Sequence, residues 1–137
     1  MKNKNAKRIV AILVVVTCIA GMAISSSAST YVTITFSGCP SGSDRGPKGY
    51  SPYSIAASSG WNSCSVTSVG FTGVPAEVWP LNASIYSALY TGSSPKSTLV
   101  CFTAKNQVKY TDVDSSGTYR AGAQTTCSQG ATIQEKW

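Results

Sequence analysis

The sequence contains no histidine and only five acidic residues among its 137 residues. The absence of histidine excludes Ser–His–Asp and Cys–His catalysis, because both need an imidazole as the base. A glycosidase needs two carboxyl groups that face each other, and so few acidic residues make such a pair unexpected. Phosphate-binding and dinucleotide-binding glycine motifs do not occur in the sequence. We therefore predict a protein that is not an enzyme and uses no cofactor.

Glu77 is the one acidic residue with an unusual neighbourhood in the sequence, since Trp79 follows two positions later. An apolar aromatic neighbour can raise the pKa of a carboxyl group and make it a proton donor. The segment is bounded by Pro75 and Pro80, however, and this pattern is typical of an exposed turn. We expect the exposed turn.

The first 28 residues have the pattern of a secretory signal peptide. Four basic residues precede an apolar run over residues 9–24, and small residues follow it. The run is shorter than the roughly 20 residues that span a bilayer. We predict cleavage after Ala28 or Ser29 and secretion of one domain, residues 29–137. An uncleaved segment would instead make the protein a membrane-anchored envelope component.

Cleavage at this position would remove most of the positive charge. Four of the eleven basic residues lie within the first eight positions, whereas all five acidic residues lie after residue 28. The net charge therefore falls from +6 to +2. No basic cluster remains that would follow a phosphate backbone, and we predict no binding to nucleic acid.

Four cysteines lie in the predicted domain, namely Cys39, Cys64, Cys101 and Cys127. An even number in an exported chain of this size predicts two disulfides. A zinc site is disfavoured because the sequence has neither a C-x-x-C spacing nor a histidine. Four cysteines allow three sets of pairings. We favour Cys39–Cys64 with Cys101–Cys127, because each closes a short local loop.

Short segments of alternating polarity predict an all-β fold. Val32, Ile34 and Phe36 alternate with polar or aromatic residues, which is typical of a half-buried strand. Further strands are predicted at residues 63–73, 84–91, 97–105, 107–112, 118–127 and 131–137. About seven short antiparallel strands separated by turns predict a small disulfide-stabilised β-sandwich. We expect it to be a monomer.

The stretch "YTDVDSSGTYRAG" begins like a calcium-binding loop, with Asp112, Asp114 and Ser116 at alternate positions. An EF-hand needs a glutamate at its twelfth position, where this sequence has Ala123. We interpret the stretch as a hairpin tip with Gly117 in a left-handed conformation, and we predict no metal. A looser calcium site on the same three side chains is the alternative. The "TD…SGTY" pattern is similar to hairpin tips in prealbumin-like and surface-adhesin β-sandwich repeats, which implies the fold class only.

A glycine- and proline-rich segment over residues 38–52 predicts no regular structure there. In and after it lie residue types that often anchor interfaces: Arg45, Lys48, Tyr50, Tyr53 and Trp61. One hypothesis is that residues 45–61 form a single recognition loop, held at its start by a disulfide. The competing hypothesis is that the aromatic residues fold over one end of the sandwich as core.

Together these features predict a secreted, non-catalytic binding protein whose partner is an extracellular protein or a glycan. One hypothesis is an antagonistic, bacteriocin-like protein that acts on neighbouring cells. The alternative is an adhesion or enzyme-inhibitor module that binds a glycan or a protein through residues 45–61.

Overall fold

The computed structural model describes residues 29–137, and none of these residues is helical. Across this range no segment forms an apolar helix of the length that would cross a membrane. The predicted signal peptide, residues 1–28, lies outside the described residues. The strands are β1 Tyr31–Phe36, β2 Gly49–Tyr50, β3 Ile55–Ala57, β4 Gly60–Phe71, β5 Ile85–Thr91, β6 Ser94–Pro95, β7 Val100–Phe102, β8 Val108–Val113, β9 Gly117–Thr125 and β10 Ala131–Lys136.

The strands form two antiparallel sheets. Sheet 1 has the order β1-β10-β4-β8. In sheet 2 the strands β2 and β3 both pair with β9, β9 pairs with β5, and β5 also pairs with β6 and β7. The predicted all-β class and sandwich-like arrangement of two sheets are confirmed.

The core lies between the two sheets and is built by the alternation of each strand. In β1 every second residue is buried, as the sequence predicts. The side chains of Ile34, Ile85, Leu89 and Phe102 have no exposed area. Burying a side chain of this size stabilises a fold by about 1.5–3 kcal/mol. Apolar contact between the sheets therefore supplies the main favourable term.

Three short strands were not predicted from the sequence: β6, which pairs with β5, and the two strands β2 and β3. Strand β2 lies inside the glycine- and proline-rich segment, so the prediction of no regular structure over residues 38–52 is wrong at this point. Gly49 packs there directly against the carbonyl oxygen of Thr35. Strand β3 follows because Ile55 is 2 % exposed and belongs to the core. Both pair with β9, so the segment over residues 46–57 follows the edge of sheet 2.

The two ends of the described chain are joined to each other. Thr30 and Trp137 exchange two backbone hydrogen bonds, each 2.8 Å long. They continue the pairing of β1 with β10, in which Tyr31 is opposite Lys136. The described domain therefore starts and finishes on the same ladder of sheet 1.

The favoured disulfides are not present, because Cys39, Cys64, Cys101 and Cys127 are all free thiols. The favoured pairings are wrong because cysteines that are near each other in the sequence are not near each other in the fold. Cys64 is 2 % exposed and belongs to the core in sheet 1, whereas Cys39 lies beside Cys127. Cys101 belongs to β7 in the other sheet.

Candidate functional site

The outer face of sheet 2 carries the side chains that alternate with its core residues. Because successive side chains of a strand point to opposite faces, the residues between core positions point outward. The pairs across β5 and β9 on this outer face are Tyr86 with Gln124, Ala88 with Gly122, and Tyr90 with Arg120.

Strand β2 and the loop before it complete this surface. Tyr50 is opposite Gly122 in the pairing of β2 with β9. The preceding loop brings Arg45 and Lys48 over β5. The surface made of Arg45, Lys48, Tyr50, Tyr86, Tyr90 and Arg120 is called here the cation–tyrosine face.

Each of the three cations of this face lies over a tyrosine ring. The guanidinium carbon of Arg45 is 4.8 Å from the centre of the Tyr86 ring. The ammonium of Lys48 is 5.2 Å from that of Tyr90, and Arg120 is 5.7 Å from that of Tyr50. These distances lie within the range of about 6 Å in which the ring quadrupole attracts a cation. Ring contacts therefore restrict all three cations.

The tyrosine rings fit because residue 122 has no side chain. Tyr50 and Tyr90 pack edge to face with their ring centres 5.4 Å apart. A Cβ atom on Gly122 would lie 2.6 Å from ring atoms of Tyr90 and 3.1 Å from Tyr50. The glycine therefore makes the depression in the sheet that holds both rings.

Arg120 is fixed further by the backbone of Ser51, directly after β2. Its Nε donates a hydrogen bond of 2.7 Å to the carbonyl oxygen of Ser51. Ser51 is itself buried and bonded to the backbone of Ala121 through its amide and its hydroxyl. One edge of the guanidinium is thus used within the protein, and the terminal nitrogens are left for a ligand.

No carboxylate of the described domain forms an ion pair with a cation of the cation–tyrosine face. Among residues 29–137 the only ion pair joins Lys105 and Glu77, on another part of the surface. Burial raises the pKa of Tyr90. The positive charge of nearby Arg45 partly opposes that rise. An anion is the ligand type that such a surface favours.

A groove of about 350 Å³ runs along this surface. Its volume lies in the range of about 300–1,000 Å³ typical of small-molecule sites. Its lining includes two cations, an aromatic ring, a hydroxyl, an amide and an aliphatic side chain, from Arg45, Lys48, Tyr90, Ser97, Gln124 and Leu99. The groove thus offers charge, hydrogen bonding and apolar contact together.

The structure separates the five binding residues predicted from the sequence. Arg45, Lys48 and Tyr50 come together on the outer face of sheet 2. Tyr53 is 77 % exposed in the following turn, and Trp61 is 72 % exposed in β4 of sheet 1. Residues 45–61 do not form one loop, because the burial of Ile55 creates β3 between these two groups. The exposure of Tyr53 and Trp61 also shows that neither is core.

A second, smaller depression of about 230 Å³ lies beside Trp61. It is lined by Ser29, residues 55–57, Trp61, Asn62, Ser63 and Trp137. Within this lining no side chain is charged or positioned to fix the orientation of a ligand by charge. We therefore take the groove on sheet 2 as the candidate site.

The hairpin between β8 and β9 carries the residues of the alternative calcium site. The hydroxyl of Ser116 accepts a hydrogen bond of 2.9 Å from the amide of Ser59. Nowhere in residues 29–137 do three acidic or cysteine side chains form a group that would hold a metal ion. Gly117 is the first residue of β9, opposite Ala57, so the predicted left-handed conformation at Gly117 is wrong.

Glu77 has an environment opposite to the one that Trp79 suggests. Hydrogen bonds from Lys105 at 2.7 Å and Ser68 at 2.6 Å lower the pKa of Glu77 to about 2. Trp79 instead packs on Phe71 and donates to the carbonyl oxygen of Ala83. The carboxyl group is therefore ionised and paired, as expected for an exposed turn.

Tyr86, Tyr90 and Arg120 belong to the face but were not predicted as site residues. Their positions follow from strand alternation: Tyr119, Ala121 and Ala123 are core, so Arg120 points to the outer face. The sequence contains that alternation. It does not contain the pairing that brings β5 and β9 beside the loop of Arg45.

Comparisons of the chain with protein-family models, with curated proteins and with solved structures give no match.

Proposed function

We propose that this protein is exported, does not catalyse a reaction, and binds an anionic glycan on its cation–tyrosine face. One observation carries the proposal: three cations lie over tyrosine rings on one sheet face, and none of them is paired with a carboxylate. Export rests on the signal-peptide pattern of residues 1–28.

The rings and the backbone support binding by reducing the mobility of the cations. A free arginine or lysine side chain loses about 0.5–1.5 kcal/mol of rotamer entropy when a ligand immobilises it. Here Arg45 and Lys48 are each held over a ring, and Arg120 is also bonded to Ser51. These side chains therefore lose less rotamer entropy when an anion binds, and a larger part of the attraction to the anion contributes to the affinity. A guanidinium also binds a carboxylate or sulfate through two parallel hydrogen bonds.

The remaining groove residues favour a sugar as the carrier of the negative charge. Sugar hydroxyls need hydrogen-bond partners, which the side-chain amide of Gln124 provides, and the C–H surface of a sugar ring needs apolar contact, which Leu99 provides. An extended acidic peptide would usually add to an exposed strand edge, whereas the groove lies on a sheet face.

The bacteriocin-like hypothesis stays a prediction from the sequence. Nothing in the cation–tyrosine face distinguishes a glycan of a neighbouring cell from one of the producing cell. Adhesion through an anionic glycan is the form of the function that the groove supports.

Replacing Arg45 and Lys48 together by glutamine is expected to weaken binding of the protein to polygalacturonate by about 10- to 100-fold. The change removes two charge-assisted hydrogen bonds, each of which stabilises a contact by about 1.5–3 kcal/mol. The loss is smaller than their sum because glutamine retains part of the hydrogen bonding. Titration calorimetry with the full-length chain measures the loss, and the wild-type affinity should fall as salt rises.

The matched control is the Lys109→Gln/Lys136→Gln double variant, which removes the same charge from sheet 1. It should bind almost as tightly as the wild type, and so should Trp61→Ala. Equal weakening by both double variants would mean that only net charge matters and would refute the site. Equal binding of neutral dextran would refute an anionic ligand.

A further inference from the structure

The four cysteines of the described chain differ in how close they lie to another cysteine. Cys39 follows β1 and Cys127 follows β9, and the amide of Cys39 donates a hydrogen bond of 2.7 Å to the carbonyl oxygen of Cys127. With standard bond lengths, a single bond of 2.7 Å between these two atoms keeps the Cα atoms of Cys39 and Cys127 within about 6.6 Å of each other. A disulfide needs about 4.4–6.8 Å, so the backbone already provides the required spacing.

Neighbouring contacts hold this pair of backbones together. Gly46 donates a hydrogen bond of 2.8 Å to the carbonyl oxygen of Thr125. Gly38 lies so close to Ser128 that a Cβ atom there would be 1.9 Å from the Ser128 carbonyl oxygen. Close packing on both sides of Cys39 and Cys127 means that joining the sulfurs requires side-chain rotation and little backbone movement.

Only local contacts oppose that rotation. The Cys39 thiol donates to the carbonyl oxygen of Ser43 at 3.1 Å, within its own loop. The Cys127 thiol donates to Oε1 of Gln129 at 2.6 Å, two residues along the chain. A thiol is a weak donor, so these bonds are readily exchanged for a covalent one.

The other two thiols face different surroundings and do not face each other. Cys64 is 2 % exposed within the core of sheet 1, and burial strongly raises the pKa of its thiol. Cys101 lies between the core residues Val100 and Phe102, so its side chain points to the outer face of sheet 2, beside Tyr86. Sheet 2 itself therefore separates Cys101 from Cys64.

We propose that Cys39 and Cys127 form an oxidation site that closes to a disulfide, while Cys64 and Cys101 remain thiols. With oxidised glutathione as the oxidant, one of the two thiolates attacks a glutathione sulfur and releases one reduced glutathione. The second thiolate then attacks the mixed disulfide and releases another. Two cysteine thiols are oxidised, one glutathione disulfide is reduced, and the two protons end on the two glutathione thiols.

The disulfide would fix the start of the loop that carries Arg45 and Lys48. The inference itself does not depend on the proposed glycan, because its evidence is the backbone contact between Cys39 and Cys127.

The test is a disulfide map of the full-length chain, purified with reductant in mild detergent and then equilibrated with oxidised and reduced glutathione. Free thiols are alkylated and the unreduced protein is digested with trypsin. Cleavage at the lysines and arginines places each of the four cysteines on a different peptide. The peptide ending at Arg45 also contains Cys18, so every chain compared in the test carries the Cys18→Ser substitution. The expected product is one cross-link, between the peptide ending at Arg45 and the peptide of residues 121–136. The peptides of residues 49–96 and 97–105 should be alkylated.

Two cysteine variants test which residues form the cross-link, and the melting temperature tests its effect on stability. The Cys64→Ala/Cys101→Ala variant should form the same cross-link, whereas Cys39→Ser/Cys127→Ser should form no internal cross-link. Oxidation should raise the melting temperature of the wild type on the order of 10 °C. Full alkylation of Cys39 and Cys127 under oxidising conditions would overturn the proposal. A dominant cross-link to Cys64 or Cys101 would also overturn it.

Discussion

Between pH 5 and pH 8 the free energy of unfolding of this protein is expected to fall by about 2–3 kcal/mol, and the Glu135→Gln variant should lose that fall. Glu135 lies in β10 and has no exposed area. Its carboxylate accepts hydrogen bonds from the hydroxyl of Ser87 and, at 2.7 Å, from the indole of Trp137. Burial nevertheless raises the pKa of Glu135 from 4.5 to about 7, because two neutral donors replace water only in part.

The sign of the effect follows from proton binding. Below about pH 4.5 the carboxyl group is protonated in both the folded and the unfolded chain, and folding is not penalised. Between pH 4.5 and about 7 the unfolded chain releases its proton while the folded chain keeps it, so stability is lost as pH rises. Above about pH 7 both states are ionised and the loss is complete. No histidine is present to titrate in this window.

Urea unfolding followed by circular dichroism at pH 5 and pH 8, with reductant present, measures the fall. The matched control is Glu77→Gln, which removes an exposed carboxylate whose pKa is lowered to about 2. That carboxylate is ionised throughout the window, so the Glu77→Gln variant should keep the wild-type fall. An equal fall in Glu135→Gln and the wild type would show that Glu135 is not responsible.

Replacing Gly49 by alanine is expected to destabilise the fold by about 3 kcal/mol or more. A Cβ atom at this position would lie 2.0 Å from the carbonyl oxygen of Thr35 and 2.8 Å from its carbonyl carbon. Both atoms belong to the backbone of β1 and cannot rotate away. The clash is relieved only if β2 moves off β1, and this would also move Lys48 and Tyr50 off the rings and groove of sheet 2.

Gly70→Ala is the matched control for this substitution. Gly70 also lies in a strand, but the nearest atom to an added Cβ is 3.7 Å away. Urea unfolding should therefore show a small change for Gly70→Ala and a large one for Gly49→Ala. Binding of Gly49→Ala to polygalacturonate should also weaken, even under conditions where the variant remains folded. Similar stability of the two variants would mean that β2 is not held against β1 as described.

The long strands were predictable because their alternation is local information. In β10 the inward positions include Ala131, Ile133 and Glu135, so the period of two that predicts the strand also places a carboxyl group in the core. The sequence could therefore have identified Glu135 as unusual. The pKa of Glu135 depends on its complete burial and on its hydrogen bonds with Ser87 and Trp137, which only the fold determines.

The short strands and the shape of the site were not predictable because they depend on contacts between distant segments. Strands β2 and β3 contain two and three residues, too few to show a period. They exist because β9 offers them an edge about 70 residues later in the chain. The same pairing separates Arg45 from Trp61. The pairing of β1 with β10 brings Cys39, which follows β1, beside Cys127, against the preference for pairings that are short in sequence.

The hydrogen bonds between Thr30 and Trp137 make the domain close to circular. A short linker from residue 137 back to residue 30 would have to cross only the width of one strand pair, about 5 Å. New ends opened in an exposed turn such as the one around Tyr53 would then give a circularly permuted chain with the same two sheets. Any partner fused at residue 30 or at residue 137 would emerge from the same place on sheet 1, and the cation–tyrosine face on sheet 2 would stay clear of it.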